Sequence, residues 1–139
     1  MEISKYISYN EATKSQTAIR HGIKNEPNYE QLQNMKIVGT KCFDPIREFY
    51  GKPLRVSSFF RSLELNRKVG GAKNSQHLKG QAIDIDAGSK IENKKLFDFA
   101  KDNLEFDQLI FEYGDNSGPE WVHISYNHGK NRKQVLRIK

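Results

Sequence analysis

Apolar residues recur at steps of three and four through residues 28–50, where Leu32, Met35, Val38, Cys42, Ile46 and Phe49 fall on one face of a helix. Pro45 lies inside that run. Proline lacks the amide donor and crowds the preceding turn, so the pattern predicts a helix broken near Asp44-Pro45 and ended by Gly51-Lys52-Pro53. Leu54 to Phe60 reads as a strand, and residues 62–69 as a short helix stopped by Gly70-Gly71. Residues 70–80, with three glycines and the polar run Lys73-Asn74-Ser75-Gln76-His77, read as a loop. Residues 81–86 alternate cleanly, placing Ile83 and Ile85 on one face and Ala82, Asp84 and Asp86 on the other. A helix is expected at 90–103 with Leu96, Phe97, Ala100 and Leu104 on its buried side. Strands follow at 106–113, 121–126 and 134–138. Helices come mostly first, and the later strands lie close enough in sequence to form hairpins. The expected class is α+β, with a central, mainly antiparallel sheet flanked by helices.

Size limits this to one domain spanning 1–139. A chain of 139 residues buries roughly two-thirds of its unfolded surface, enough for a single core. Eight Phe, six Tyr and one Trp argue against disorder, although the mean hydropathy is −0.79. No apolar run approaches the ~20 residues of a membrane span. The first twenty residues hold no continuous apolar stretch, so no signal peptide is expected. The single cysteine, Cys42, rules out an intrachain disulfide or a cysteine-based structural zinc site, and its place on the apolar helix face makes it a core residue. The net charge of +6 favours an anionic partner such as cell-wall polymer, nucleic acid or membrane surface. The basic residues are nevertheless spread from Lys5 to Lys139, and their one concentration is Lys130 to Lys139.

The polar face of the 81–86 strand is where chemistry concentrates. Asp84 has His77 seven residues upstream, at the end of a glycine-rich loop able to fold back over the strand. In the 121–126 strand, His123 lies on the face opposite Val122 and Ile124. Pairing the two polar faces assembles His77, Asp84 and His123, three zinc ligands that leave a fourth position for water, as in catalytic rather than structural sites. Asp86 reads as a solvent-facing edge residue, and His21 and His128 as surface residues. Glu120 stands three positions before His123, an offset that in an ideal strand faces the opposite side. A turn at Gly118-Pro119 would bring it toward the metal as general acid and base. Arg61, at the end of the 54–60 strand, offers a planar fork for a substrate carboxylate or carbonyl.

These residues resemble the zinc D-Ala-D-Ala carboxypeptidase family, the M15 peptidases, a group that includes D,D-dipeptidases and phage L-alanyl-D-glutamate endolysins. The signature Ser-x-His-x-x-Gly-x-Ala-x-Asp stands as Ser75-Gln76-His77-Leu78-Lys79-Gly80-Gln81-Ala82-Ile83-Asp84. An acidic residue followed by x-x-His stands as Glu120-Trp121-Val122-His123, and the upstream Ser-x-x-Arg-Ser element is matched within Ser57-Ser58-Phe59-Phe60-Arg61-Ser62. The resemblance covers residues 54 to 126. Where the family often has Ser-Gly-Tyr-Arg, this chain has Phe59-Phe60 before Arg61, which alters the shape of the pocket but not its charge. The resemblance implies a hedgehog/DD-peptidase-like fold and zinc held by His77, Asp84 and His123. It also implies Glu120 as the catalytic base, with Glu112 and Asp86 as the alternative carboxylates. Arg61 would orient the substrate carbonyl and Ser75 would help bind the peptide. The implied substrate is a peptidoglycan stem peptide, cut as a carboxypeptidase or as an endolysin-type endopeptidase, with a catalytically silent wall-binding module as the alternative. A monomer is expected, with no nucleic-acid partner, made in the cytoplasm and reaching the wall by a phage-mediated route.

Overall fold

The computed structural model describes residues 1–139. Two short helices open the chain, α1 (Tyr9–Thr13) and α2 (Gln16–His21), in a segment where hydrophobic periodicity assigns nothing. They form from caps, not from a stripe. The Ser8 hydroxyl accepts the Glu11 amide while the Glu11 side chain reaches back to the Ser8 amide, and Ser15 caps α2. Buried Asp44 anchors the first residues to the body, accepting hydrogen bonds from Ser4 Oγ (2.8 Å) and from the amides of Lys5 (3.0 Å) and Tyr6 (3.3 Å).

The long helical run is continuous through Pro45. After α3 (Tyr29–Val38), a wider π-type turn occupies Gly39–Phe43 and passes directly into α4 (Asp44–Tyr50). The expected break is therefore a local widening ahead of the proline, whose ring would otherwise clash with the turn before it. Phe49 is also not core. It is half exposed and stacks on Phe99 with ring centroids 4.2 Å apart.

Five strands form one sheet in the order β1-β2-β4-β3-β5, from β1 (Arg55–Ser58), β2 (Ala82–Asp86), β3 (Gln108–Glu112), β4 (Trp121–Ser125) and β5 (Gln134–Ile138). The α5 helix (Leu63–Lys68) follows β1, and α6 (Lys90–Asn103) follows β2. Three of the four strand pairings are antiparallel. β3 and β4 form the expected hairpin, but β5 does not pair with β4; it crosses to the far side of β3 and runs parallel to it. The cause is local. The Lys133 and Gln134 amides donate to the carbonyls of Phe106 and Asp107, and the Arg132 side chain grips Asp107, so the chain enters β5 beside the start of β3.

One sheet face, carrying Ile83, Ile85, Leu109, Phe111, Val122 and Ile124, packs with Met35, Val38 and Ile46 and with Leu96, Phe97 and Ala100 of α6 to form the main core. The opposite face is not open to water as the alternation of 81–86 implies. Ala82, Asp84, His123 and Ser125 are all buried. The segment 59–80 supplies that cover: its 3₁₀ turn packs against β2, and its backbone ties His77 to Arg61.

Cys42 is fully buried and its thiol is pushed up to about 12 by burial. The reactive species of a thiol is the thiolate. In the folded protein at pH 8, Cys42 is therefore expected to be inert to Ellman's reagent, with stoichiometric labelling only after denaturant is added; fast labelling without denaturant would contradict this packing.

Candidate active site

The site starts from a register. Asp84 on β2 lies directly opposite His123 on β4. Residues opposed in an antiparallel pair share a face, with their Cβ atoms about 4.5–5.5 Å apart. His123 Nδ1 accordingly lies 2.9 Å from Asp84 Oδ1.

His77 arrives from outside the sheet, on a 3₁₀ turn spanning Gln76–Lys79. Ser75 caps that turn through its hydroxyl, which accepts the His77 amide at 3.2 Å. Gly80 ends it in the left-handed region (φ +72°), with the Gln31 carbonyl and Met35 of α3 occupying the space a Cβ would fill. The glycine of the His-x-x-Gly spacing is thus both a C-cap and a point of close approach. On the far side of the turn, the Gln76 amide donates to Asp107 Oδ2 (3.0 Å), and the same carboxylate accepts Arg132 Nε and Nη2, each at 2.9 Å. Asp107 is 1% exposed. Arg132 first, and then Gln76, hold its carboxyl below the usual range against the opposing effect of burial.

The hydrogen bonds of His77 fix its tautomer. Nδ1 sits 2.6 Å from the Phe59 carbonyl, which can only accept, so Nδ1 carries the proton. In the neutral ring Nε2 is then a bare lone pair. It is buried, makes no hydrogen bond, and faces Asp84 Oδ2 at 3.2 Å. Two acceptors that close call for a cation between them. Nitrogen and oxygen donors of His77, Asp84 and His123 all lie within 4.8 Å of one another, an arrangement able to hold a metal ion. Two imidazoles and one carboxylate form a donor set suited to zinc with an open position, and the Nδ1–H bond to a backbone carbonyl is the usual second support of a ligating histidine. Burial alone would raise the Asp84 carboxyl; in the metal-free site, positive charge on His77 and His123 and hydrogen bonds from them outweigh it and hold the carboxyl well below the ordinary carboxylate range, the place a bound cation would take.

Arg61 is half-buried and tied at both ends. Its Nε donates to Ser58 Oγ (3.3 Å), its Nη1 to Asn66 Oδ1 (2.9 Å), and its backbone amide to the His77 carbonyl (3.2 Å). Gly71 leaves room for the Arg61–Asn66 pair; a Cβ there would collide with both side chains. Arg61 lies near enough to Asp84 and Glu112 to feel both charges.

The carboxylates separate clearly. Glu112 shares the site face with His123, with its Oε1 4.0 Å from His123 Nδ1 and a side chain only 13% exposed. Burial raises its pKa first and foremost; Asp84 adds to this, while His123 and Arg61 oppose it. Glu120 is not brought to the triad. Its amide donates to the Glu112 carbonyl, one residue out of step with the β3–β4 register, and its half-exposed side chain lies 3.7 Å from Lys90. Asp86 is occupied in the β2–α6 turn, accepting from the Gly88 amide (2.9 Å) and Asn93 Nδ2 (3.0 Å). The Ser75 hydroxyl serves as the cap described above. Sequence reasoning passed over Asn66, Gln76, Asp107 and the Phe59 carbonyl. A backbone carbonyl leaves no mark in a sequence, whereas the Asp107 signal was a lone acid inside a strand pattern.

An α+β domain that buries a histidine–aspartate–histidine cluster beside a carboxylate and an arginine is a scaffold for metal-assisted hydrolysis. The family model for Peptidase M15 matches residues 5–125, and the chain belongs to that family. Over 39 residues, 28% of the chain, it is 51% identical to the zinc D-Ala-D-Ala carboxypeptidase of Streptomyces albus G, a stretch that spans 15% of that relative.

Asp107→Ala removes the shorter acceptor of the half-buried Gln76 side-chain amide, leaving it only Gln81 Oε1 at 3.4 Å, and frees exposed Arg132 to water. Unmet hydrogen bonds of this kind cost ~1–3 kcal/mol. Guanidinium denaturation should show that loss, and Arg132→Ala should show a smaller one; an Asp107→Ala midpoint equal to wild type would refute the anchoring.

Proposed function

We propose that this chain is a zinc-dependent peptidase that hydrolyses an amide bond in peptidoglycan stem peptides, with Glu112 rather than Glu120 as its general base and acid. The observation that carries the reading is the pair of buried, facing acceptors, His77 Nε2 and Asp84 Oδ2, with His123 completing the set. Membership of the M15 family and the partial identity to a zinc D-Ala-D-Ala carboxypeptidase support the same substrate class.

His77, Asp84 and His123 would hold the metal. Bound zinc supplies a Lewis acid, which polarises the scissile carbonyl and lets water lose a proton near neutral pH. Glu112 stands beside His123, and burial moves its pKa up toward the range where a carboxylate both takes and returns protons. In the proposed step Glu112 accepts the proton of the attacking water and delivers it to the departing nitrogen as the carbon–nitrogen bond breaks. Arg61, held by Ser58 and Asn66, presents its remaining donors to the carbonyl or carboxylate oxygen of the substrate. Formal charge favours this assignment. Asp84, Glu112 and Arg61 sum to −1 without metal and to +1 with a divalent cation, so the loaded site attracts an anionic substrate.

Glu112→Gln should lower turnover of purified muropeptides by about 10²–10⁴-fold, read by mass spectrometry of the products, while zinc content stays stoichiometric. Glu120→Gln should stay within a few-fold of wild type. The reverse pattern would return the role to Glu120. A wild-type protein that binds zinc and cleaves no wall peptide would instead be a silent binding module. Product masses also distinguish a carboxypeptidase, which releases one terminal residue, from an endopeptidase.

A further inference from the structure

A cleft of about 680 Å³ runs along the outer edge of β1 and reaches Arg61. Its walls include Lys14 and Gln16 on one side, Arg55 and Ser57 along the strand, and Ser58 and Arg61 where it meets the site. Three independent features of this cleft point to one kind of occupant.

The first is backbone. β1 is an edge strand paired only with β2, and no turn or loop hydrogen bond reaches the backbone of Arg55–Ser58. The α1 helix packs beside β1, the Phe60 amide donates to the Ala12 carbonyl, and Glu11 with Lys14 to Thr17 form the facing wall of the cleft without bonding the backbone of Arg55–Ser58. An open edge of this sort pairs readily with an added extended chain. The second is register. Arg55 opposes Asp86, and the pairing then slips by one residue so that Ser58 opposes Asp84. This bulge returns Arg55 and Ser58 to the face that carries the triad, and Arg61, which also lines the cleft, lies near enough to Asp84 to feel its charge. The third is charge. Lys14, Arg55 and Arg61 all line the cleft, and none of them takes part in an ion pair. The only acid in the lining, Glu11, is engaged by the Ser8 amide and hydroxyl.

We propose that the open edge of β1 binds an extended, carboxylate-bearing peptide, which joins the sheet as an added strand and passes Arg61 to bring its amide to the triad. The proposal deepens the peptidase reading and rests on it for the direction in which the peptide leads. Four residues of strand span roughly 13 Å, so the cleft reads about four substrate residues. A terminal dipeptide cannot fill it. The inference thus favours substrates cut within a peptide over those trimmed by a single residue.

Titration calorimetry on the whole protein, zinc-loaded and chelator-treated, tests it with binding as the readout. The probes are an acetylated Ala-Glu-Ala-D-Ala-D-Ala peptide, its counterpart with Gln for Glu and a C-terminal amide, the dipeptide D-Ala-D-Ala, and acidic peptides N-methylated at alternate backbone positions. The acidic pentapeptide should bind at least about tenfold more tightly than the neutral one and the dipeptide, and should weaken as salt rises. Exposed Arg55→Glu and Lys14→Glu should each weaken it about tenfold without altering the thermal midpoint. One N-methylation register should abolish binding and the other should leave it intact, as expected where alternate amides bond the strand. Equal binding of the dipeptide, wild-type affinity in both reversal variants, or indifference to N-methylation would each overturn the proposal. Binding that follows these expectations in a protein with no hydrolytic activity would sustain the cleft and count against the peptidase reading alone.

Discussion

The pairing of β2 with β4 is the constraint on which the site depends. Asp84 faces His123 only because Ala82 opposes Ser125 and Ile83 opposes Ile124. A slip of one residue in either strand would turn Asp84 or His123 into the apolar core and bring Ile83 or Val122 out in its place. The apolar side chains of the same strands guard against that slip. Ile83, Ile85, Val122 and Ile124 are all fully buried, and each such side chain contributes about 1.5–3 kcal/mol by leaving water. The metal-binding geometry is therefore fixed by hydrophobic burial on the opposite face of the sheet. The ligands themselves contribute the reverse. A buried carboxylate is costly unless it is paired, and Asp84 is tolerated because two imidazoles converge on it.

The third ligand is built by different means. His77 comes from a loop, and a loop positions a side chain only as well as it is tied down. Here the ties come from four directions: the Ser75 cap, the approach of Gly80 to α3, the Gln76–Asp107–Arg132 bridge, and the Phe59 carbonyl on the imidazole itself. The last of these does most to define the chemistry. By placing the proton on Nδ1 it leaves Nε2 with an electron pair and no protein partner. Arg61 shares the same frame, since its amide bonds the His77 carbonyl. His77 and Arg61 are thus fixed relative to one another by backbone as much as by side chains.

The parts of this arrangement that were legible in the sequence are those governed by short-range periodicity. Alternation in 81–86 and 121–126 put Asp84 and His123 on the faces opposite the aliphatics, and the helix at 90–103 coincides with α6 (Lys90–Asn103). The parts that were not legible depend on long-range contacts. The α1 and α2 helices come from capping hydrogen bonds in a segment without a stripe. The parallel placement of β5 follows from Asp107 holding Arg132, 25 residues away. The cover over Asp84 and His123 is a loop folded back on the sheet, which alternation alone reads as solvent.

The choice between the two glutamates shows where motif spacing and three-dimensional position diverge. Glu120 has the spacing, three residues ahead of His123, but it stands outside β4, and its amide bonds the Glu112 carbonyl one residue out of step with the Glu112–Trp121 register, so strand alternation does not set its direction. Glu112 has no spacing to recommend it, because it belongs to another strand. Its position follows from pairing: Ile110 opposes His123 and Glu112 opposes Trp121, so Glu112 projects on the ligand face one step along the sheet from His123. Burial raises the proton affinity of Glu112 beside a site that also holds a fixed arginine. The same rule of paired faces connects the triad to the cleft at β1, where the slip between Val56 and Ser58 brings the strand's polar side chains onto the surface that Asp84 and His123 share.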